Sequence, residues 1–371
     1  MYEKEIEIKR VGLEGQGVGY DEEGNIYFVP RTLPGDQVRV SFNTLKKYRD
    51  TELLEVLATS SQTVESPCQY FHQCGGCDWL NWNYEEQLKA KEEILKHVLE
   101  RGTLVADRFL PILASPKKLG YRNRIQLRAR GKEIGFLKKH THDIIDLENC
   151  VVAHPALNSE ITKIRESRTF ETPTKIELYL NSENEVLESL NAPHGAGGFS
   201  QVNFEQNENL KAKVKEHIAD AKSQRVLELY CGDGNLTFSY LPLVKHVIAF
   251  DSSQTTIDSA RVKRDALGEE GKKVSFFKDM VDGKLKSKLP PDFSKDYDTI
   301  VLDPPRAGVG DFLEKFIHPN LKNIIYVSCA PVAFSKDVQS LKKEFKLSEI
   351  QPLDMFPQTR HLEFVARFVR A

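Results

Sequence analysis

The six cysteines of this 371-residue chain fall into groups with different chemical prospects. Cys68-Gln-Tyr-Phe-His-Gln-Cys74-Gly-Gly-Cys77 is a C-x5-C-x2-C run whose glycines let the backbone wrap tightly around an ion or a cluster. Three thiolates need a fourth ligand, and the uncommitted candidate downstream is Cys150, in Leu147-Glu-Asn-Cys150. Four thiolates suit zinc or an iron-sulfur cluster; spacing alone leans to zinc, the commoner structural ion. His72, between the cysteines, reads as a bystander. Cys329 differs, because the apolar run Ile324-Ile-Tyr-Val-Ser-Cys329 ends on it just before Ala330-Pro331. A strand that delivers a thiol to a sheet edge is a place for chemistry. Most single cysteines are packing residues, as Cys231 is read here, so Cys329 needs an electrophile and a proton acceptor before it counts as a nucleophile.

The electrophile is suggested by Tyr297-Asp-Thr-Ile-Val-Leu-Asp303, a strand that runs into Pro304-Pro-Arg306. Asp-Pro-Pro at such a strand end marks enzymes that methylate a base, and three classes compete. Amino-group methylation favours an aromatic after the prolines, where this chain has Arg306. Cytosine-C5 methylation of RNA needs a second cysteine beside the Asp-Pro motif, and none is there. Uracil C5 is a poor nucleophile until a thiolate adds to C6 and creates an enolate; a base must afterwards take the C5 proton so that the thiol can leave. Cys329 fits the first role. Glu363 is the best-placed base, since the closing hairpin usual in such sheets would run the last strand antiparallel to the Cys329 strand and set Glu363 beside its end.

These residues need a sheet to carry them, and the pattern from about residue 195 supplies one by alternating strand and helix, which implies an α/β, doubly wound, Rossmann-like domain. Arg225-Val-Leu-Glu-Leu-Tyr230 is a buried strand followed by Cys231-Gly-Asp-Gly-Asn235, whose Gly232 allows a tight turn and close approach by a ligand. The strand His246-Val-Ile-Ala-Phe-Asp251 ends in an acid placed to accept the hydroxyls of a ribose. Without a complete G-x-G-x-x-G there is no pyrophosphate cradle, which favours S-adenosylmethionine over a nicotinamide or flavin.

Upstream, residues 1–60 show short alternating runs broken by glycines, the pattern of a small closed β-barrel. Gly15-Gln-Gly-Val-Gly-Tyr20 and Leu33-Pro-Gly-Asp-Gln-Val38 resemble the TRAM domain, an OB-like RNA-binding barrel, although a ligand-free barrel would share them. Residues 84–101 read as an amphipathic packing helix ending before Gly102. Residues 115–142 carry nine Lys or Arg against one acid, Glu133. A strand would turn Arg122, Arg124, Arg128 and Arg130 to one face, a footprint for a phosphate backbone, or else a charged edge kept in solvent. Asn191-Ala-Pro-His-Gly-Ala-Gly-Gly198 reads as an interdomain linker.

Taken together, Phe199-Ser-Gln-Val-Asn203, Tyr230-Cys-Gly-Asp-Gly-Asn235, Asp303-Pro-Pro-Arg306, Val327-Ser-Cys329 and Phe356-Pro-Gln-Thr-Arg-His-Leu-Glu363 resemble the class I, S-adenosylmethionine-dependent RNA uracil-C5 methyltransferases over nearly the whole chain. The resemblance implies that Gln201, Tyr230, Asn235, Asp251, Asp279 and Asp303 contact the methyl donor or the base, with Cys329 the nucleophile and Glu363 the base. It also implies a [4Fe-4S] cluster at Cys68, Cys74, Cys77 and Cys150, reversing the lean to zinc, in members that carry a TRAM domain and act mostly on large-subunit rRNA. Three departures stand out: Ala330 replaces the usual asparagine, Asp251 a more common glutamate, and Glu228 the usual aspartate. Asp279 matches by position only.

A net charge of −2 says little about partners; the uneven spread of charge says more. The polar N-terminus, without a leader pattern, and the absence of any apolar run of membrane-spanning length point to a cytoplasmic, membrane-free monomer. Three domains are expected: a TRAM-like barrel (1–60), a central β-rich RNA-binding domain with the four cysteines (61–194) and a methyltransferase domain (195–371). The expected function is uridine C5 methylation in large-subunit rRNA. The same reaction on the tRNA T-loop, or a non-catalytic RNA-binding or assembly factor of this fold, are the alternatives.

Overall fold

The computed structural model describes residues 2–43, 46–138, 141–181, 183–192, 200–289 and 296–371. Lys139 of the basic run, residues 193–198 of the expected linker and Phe199 lie outside them. The chain forms two compact units. One comprises Met1–Ile94, Lys117–Ala192 and Phe356–His361; the other comprises Leu95–Pro116, Pro193–Met355 and Leu362–Ala371. Sequence order and unit membership are therefore interleaved.

The first unit opens with β1 (Tyr2–Val11), β2 (Gly17–Tyr20), β3 (Ile26–Val29), β4 (Gln37–Phe42), β5 (Tyr48–Asp50) and β6 (Glu52–Ala58), hydrogen-bonded in the order β5-β3-β2-β1-β4-β6. The long β1 pairs with β4 over Tyr2–Glu7 and with β2 over Ile8–Val11, where the register shifts between Ile8 and Arg10. One strand serving two partners across a bulge bends the sheet into a curl. Alternation then puts Ile6, Ile8, Val38 and Val40 inside with Tyr27, Val29 and Phe42. Each such side chain contributes roughly 2 kcal/mol of burial.

The helix α1 (Tyr84–Arg101) forms where its apolar period predicts, with Tyr84, Leu88, Leu95, Val98 and Leu99 buried, and the two-residue β7 (Arg108–Phe109) follows it in the second unit. The helix also buries two polar side chains one turn apart. Gln87 donates to Trp79 O, Trp82 O and Gln358 Oε1, each at 2.9 Å, and accepts the Gln358 N–H; Lys91 Nζ donates to Phe356 O at 3.1 Å. The Phe356–His361 turn is further held in this unit by Tyr121, whose hydroxyl donates to Pro357 O, and by the Arg360–Asp78 ion pair at 3.2 Å.

The rest of the unit is a second sheet of β8 (Arg124–Gly131), β9 (Glu133–Leu137), β10 (Ile144–Asp146), β11 (Phe170–Leu180) and β12 (Val186–Leu190), ordered β10-β9-β8-β11-β12, with α2 (Pro155–Ser167) against it. Ile125, Leu127 and Ala129 of β8 are buried, so Arg124, Arg128 and Arg130 do share the opposite face. Arg122 does not. Strand pairing begins at Arg124 opposite Tyr179, whereas Arg122 exchanges backbone bonds with Val152 and His154.

The second unit is one eight-stranded sheet. Its strands β13 (Arg225–Leu229), β14 (His246–Asp251), β15 (Val274–Lys278), β16 (Thr299–Leu302), β17 (Asn323–Ser328), β18 (Phe345–Leu353) and β19 (Glu363–Arg370) join β7 in the order β15-β14-β13-β16-β17-β19-β18-β7. The first five neighbours run parallel, β19 is antiparallel to β17, and β18 closes the hairpin. The helix α3 (Phe204–Asp220) leads into β13, and the later connections run through α4 (Thr237–Tyr240), α5 (Gln254–Ala266), α6 (Pro331–Asp337) and short 3-10 turns. This is the class I methyltransferase sheet the alternating pattern predicts. Its core includes Leu95, Leu99 and Leu104, from the segment that precedes it by about a hundred residues. Among the described residues no helix is long and apolar enough to cross a membrane.

Candidate active site

The carboxyl ends of the parallel strands gather the candidate chemical groups, as open α/β sheets do. β17 ends at Ser328, which lies opposite Phe364 of β19, so the next residue on one strand, Cys329, faces the preceding residue on the other, Glu363. The expected hairpin thus brings nucleophile and base candidates together. Asp303 follows β16, the neighbour on the other side of β17.

Electrostatics couple these groups. Burial pushes the Cys329 thiol up to about 11; the nearby Glu363 and Asp303 push the same way, and the Arg306 guanidinium beside it works against them. Glu363, 3% exposed, is held well above the usual carboxylate range by burial and by Asp303, with Arg306 again opposing. Burial raises Asp303 to about 7. Two enclosed carboxyls that resist ionising together retain at least one proton between them near neutrality. A thiol, a proton-sharing pair of acids and one cation make a set able to add sulfur to an electron-poor ring and then remove a proton from it.

The loop after Cys329 explains where the unusual Ala330 matters. Ala330 is the N-cap residue of α6 and makes no side-chain cap; Ser328 Oγ accepts its N–H at 3.1 Å instead. Asparagine at that position would cap the helix, a contribution of about 1 kcal/mol.

The turn Tyr230–Asn235 shows why glycines are needed. Gly232 and Gly234 have φ of +55° and +87°, and a Cβ on Gly232 would meet nothing within 4 Å, so the turn faces open space. Tyr230 also adopts a positive φ, 62°, and its hydroxyl, raised to about 12 by burial, donates to Val281 O at 3.3 Å. Asp251, ending β14, accepts from Gly232 N at 3.0 Å, Ser253 N at 2.8 Å and Thr256 Oγ1 at 3.3 Å, which fixes the orientation of its carboxylate while leaving acceptor capacity on Oδ2 for a ribose hydroxyl. Open cradle and oriented acid together fit the ribose and chain of a nucleoside ligand.

Other predicted residues are engaged within the protein. Asn235 exchanges two hydrogen bonds with Asn207 of α3, at 2.8 and 2.9 Å. Asp279 is paired with Lys288 at 2.6 Å, which lowers its carboxyl below the ordinary range. Gln201 is buried just before α3, whose N-cap is Asn203. Glu228, inside β13, is raised to about 7 by burial and accepts the Tyr240 hydroxyl. Sequence reasoning missed Arg306 as a partner of the thiol, having weighed it only as a missing aromatic. It also missed Asn207, for which no local signal exists.

In the first unit Cys68, Cys74, Cys77 and Cys150 line one cavity of about 210 Å³, with Tyr70, Phe71, Leu147 and the displaced Arg122. Burial pushes the thiols of Cys74, Cys77 and Cys150 up, and the neighbouring cysteines push Cys74 and Cys77 the same way. Holding four thiolates there would require a strongly positive centre. Among the described residues no group of three or more His, Cys, Asp or Glu converges enough to hold a metal ion. On the β8 face, Arg124 is taken by Glu177 at 2.7 Å and lies over the Tyr179 ring, while Arg128 Nη1 is buried with no hydrogen-bond partner among the described residues.

Comparison with known proteins agrees with this architecture. The profile of the tRNA (Uracil-5-)-methyltransferase family matches residues 190–369, and that of the TRAM domain matches residues 2–43. An uncharacterised RNA methyltransferase of Bdellovibrio bacteriovorus is 30% identical over 375 residues, covering 97% of this chain and 93% of the relative. A 23S rRNA (uracil(1939)-C(5))-methyltransferase of Vibrio campbellii is 25% identical over 428 residues, covering 99% and 96%. The fold matches that of the Pyrococcus abyssi tRNA (uracil-54, C5)-methyltransferase in complex with S-adenosyl-L-homocysteine, with a TM-score of 0.75 at 23% identity over 99% of this chain and 100% of that one. With the sheet, the Asp303-to-Arg306 loop and the opposed Cys329 and Glu363 in place, the chain belongs to the RNA uracil-5-methyltransferase family and carries an N-terminal TRAM domain.

Proposed function

We propose that the protein methylates C5 of a specific uridine in large-subunit rRNA by covalent catalysis. The observation that carries this is the facing of Cys329 and Glu363 across β17 and β19, with Asp303 and Arg306 alongside. S-adenosylmethionine, for which the Gly232 turn and Asp251 are suited, would supply an electrophilic methyl group. Gln201, Tyr230, Asn235 and Asp279 would complete its surroundings.

A uridine flipped from its stack presents C6 to the Cys329 sulfur. The S–C6 bond forms as the C5–C6 π electrons move onto C5 and O4, and the nucleophilic C5 would then receive the methyl group, the sulfonium sulfur that carried it leaving as a neutral thioether. Glu363 takes the C5 proton, the released pair re-forms the C5–C6 bond, and the S–C6 bond breaks to return the thiolate. Unstacking costs a few kcal/mol and least in loops, so loop or bulge uridines are the expected substrates. The TRAM sheet and the β8 face would hold the RNA, the latter through the exposed Arg130 more than through Arg124, engaged with Glu177, or Arg128, whose Nη1 is buried. The three-domain division into residues 1–60, 61–194 and 195–371 is our working assignment of these duties.

We also infer a [4Fe-4S] cluster at Cys68, Cys74, Cys77 and Cys150. The four cysteines line one cavity, which supplies the all-thiolate donor set such a cluster takes. No step of uracil methylation needs an electron, so its role would be structural. Anaerobically purified protein should show broad visible absorption and about four irons per chain; a colourless protein with one zinc would refute the inference.

The function is tested with the Cys329→Ala variant. It should neither form 5-methyluridine nor give a covalent complex with 5-fluorouridine RNA, and mass spectrometry of rRNA and tRNA from a deletion strain should find the missing methyl group in large-subunit rRNA. Methylation by Cys329→Ala would sink the mechanism; loss of the methyl group from tRNA alone would move the target.

A further inference from the structure

The loop that brings Asp303 and Arg306 to the thiol has little of its own to hold it. Pro305, Arg306 and Ala307 are exposed, and one backbone turn, Gly308 N to Pro305 O at 2.8 Å, closes it. Its fixed point is a carboxylate on another element. Asp337, 8% exposed at the end of α6, accepts from Val309 N at 2.8 Å, from Gly310 N at 3.0 Å and from the Tyr326 hydroxyl at 2.6 Å. Gly308 passes so close, with φ +78°, that a Cβ there would lie 2.3 Å from Asp337 Oδ2. Only glycine allows that approach.

The carboxylate therefore joins three pieces that meet at Cys329. Tyr326 lies on β17, fully buried, three residues before the thiol, and its ring meets Phe334 of α6 edge-on at 5.1 Å. Helix α6 begins at Pro331, two residues after the thiol. The third piece is the loop from Asp303 to Gly310. A carboxylate that accepts three hydrogen bonds in a dry site is costly to replace, because each donor would be left unpaired.

We infer that Asp337 is a positioning residue that, through Val309 and Gly310, holds Arg306 at the Cys329 thiol. Without the clamp the loop is free to relax, Arg306 retreats, and Glu363 and Asp303 act on the sulfur without the cation that opposes them. The thiol then ionises less readily. This rests on the proposed role of Cys329 only for its meaning in catalysis; the reactivity of the thiol can be read without turnover.

The test is the rate of iodoacetamide modification of Cys329 as a function of pH, resolved by mass spectrometry of its peptide, in the full-length protein. Asp337→Asn keeps the size but turns an N–H2 group toward one of the three donors. Its modification profile should move to higher pH by about one unit, a rate roughly tenfold lower at fixed pH. Adduct formation with 5-fluorouridine RNA should slow to a similar degree with KM little changed. Arg306→Ala should shift the profile alone, and adding Asp337→Asn to it should shift it no further. Should Asp337→Asn fail to fold, Tyr326→Phe removes one donor and should give a smaller shift in the same direction. A folded variant with a lowered melting temperature and an unmoved profile would make Asp337 merely structural and overturn the inference, as would full additivity with Arg306→Ala. Methylation by Cys329→Ala would instead refute the functional reading and leave these profiles to stand alone.

Discussion

In the proposed reaction Glu363 must be without its proton when C5 gives one up, yet its surroundings favour keeping one. Burial and the Asp303 charge raise its proton affinity, which makes it a strong acceptor at the moment it is ionised. Arg306 and the sharing of a proton with Asp303 are what make that moment available. Glutamine at this position keeps the shape and removes the basicity. Glu363→Gln should therefore form the covalent complex with substrate RNA and accumulate it, with product release slowed by about 10²-fold or more; a denaturing gel of enzyme and labelled RNA shows this, and normal release would exclude Glu363 as the base. The juxtaposition of Cys329 and Glu363 was legible in the sequence because each sits at the end of a strongly apolar strand and a hairpin rule relates the strands. Arg306 was not, because its approach to the thiol depends on a loop fixed by Asp337, a contact that no local pattern encodes.

Strands carry their own acids. Glu228 lies in the middle of the parallel sheet, 2% exposed, and is raised from 4.5 to about 7, chiefly by burial. The folded state thus binds a proton that the unfolded chain has released over that interval. Its contribution to stability is full below about pH 4.5 and is lost as pH rises through about 7. The gap corresponds to something on the order of 3 kcal/mol. Glu228→Gln should flatten the fall in melting temperature between about pH 5 and about pH 8 relative to the parent protein, by calorimetry at each pH. Equal slopes in the two proteins would remove Glu228 from the account. At this scale the helix α1, the curled TRAM sheet and the strand-helix alternation from β13 to β17 follow from period and glycine punctuation. The alternation of arginines misled at Arg122, because charge alternates two residues beyond the point where pairing starts. The pattern reports side-chain chemistry; the strand's start is set by the partner Tyr179.

At the scale of the whole molecule, the family profile begins at residue 190, near the boundary expected from composition at about 195, whereas the second unit also takes in Leu95–Pro116. Leu95, Leu99 and Leu104 pack there, as does β7 on β18. A two-residue strand has no sequence signal, and the pairing is remote. Losing each buried leucine costs about 2–5 kcal/mol, so the three together rival the 5–15 kcal/mol that stabilises a typical domain. A piece spanning residues 195–371 should accordingly be insoluble or lack a cooperative thermal transition, whereas the full chain shows one; calorimetry and near-ultraviolet circular dichroism decide this.

The turn at Phe356–His361 carries that interleaving to the proposed base. The chain leaves β18, passes through a segment that Gln87, Lys91, Tyr121 and Asp78 grip in the first unit, and two residues later becomes Glu363. On the proposed division of duties, the first unit therefore cannot be exchanged between family members as a cassette. A chimera inherits a working base only if the six residues of the turn travel with the half that grips them, so recombination at a single crossover point is a dead end for this architecture.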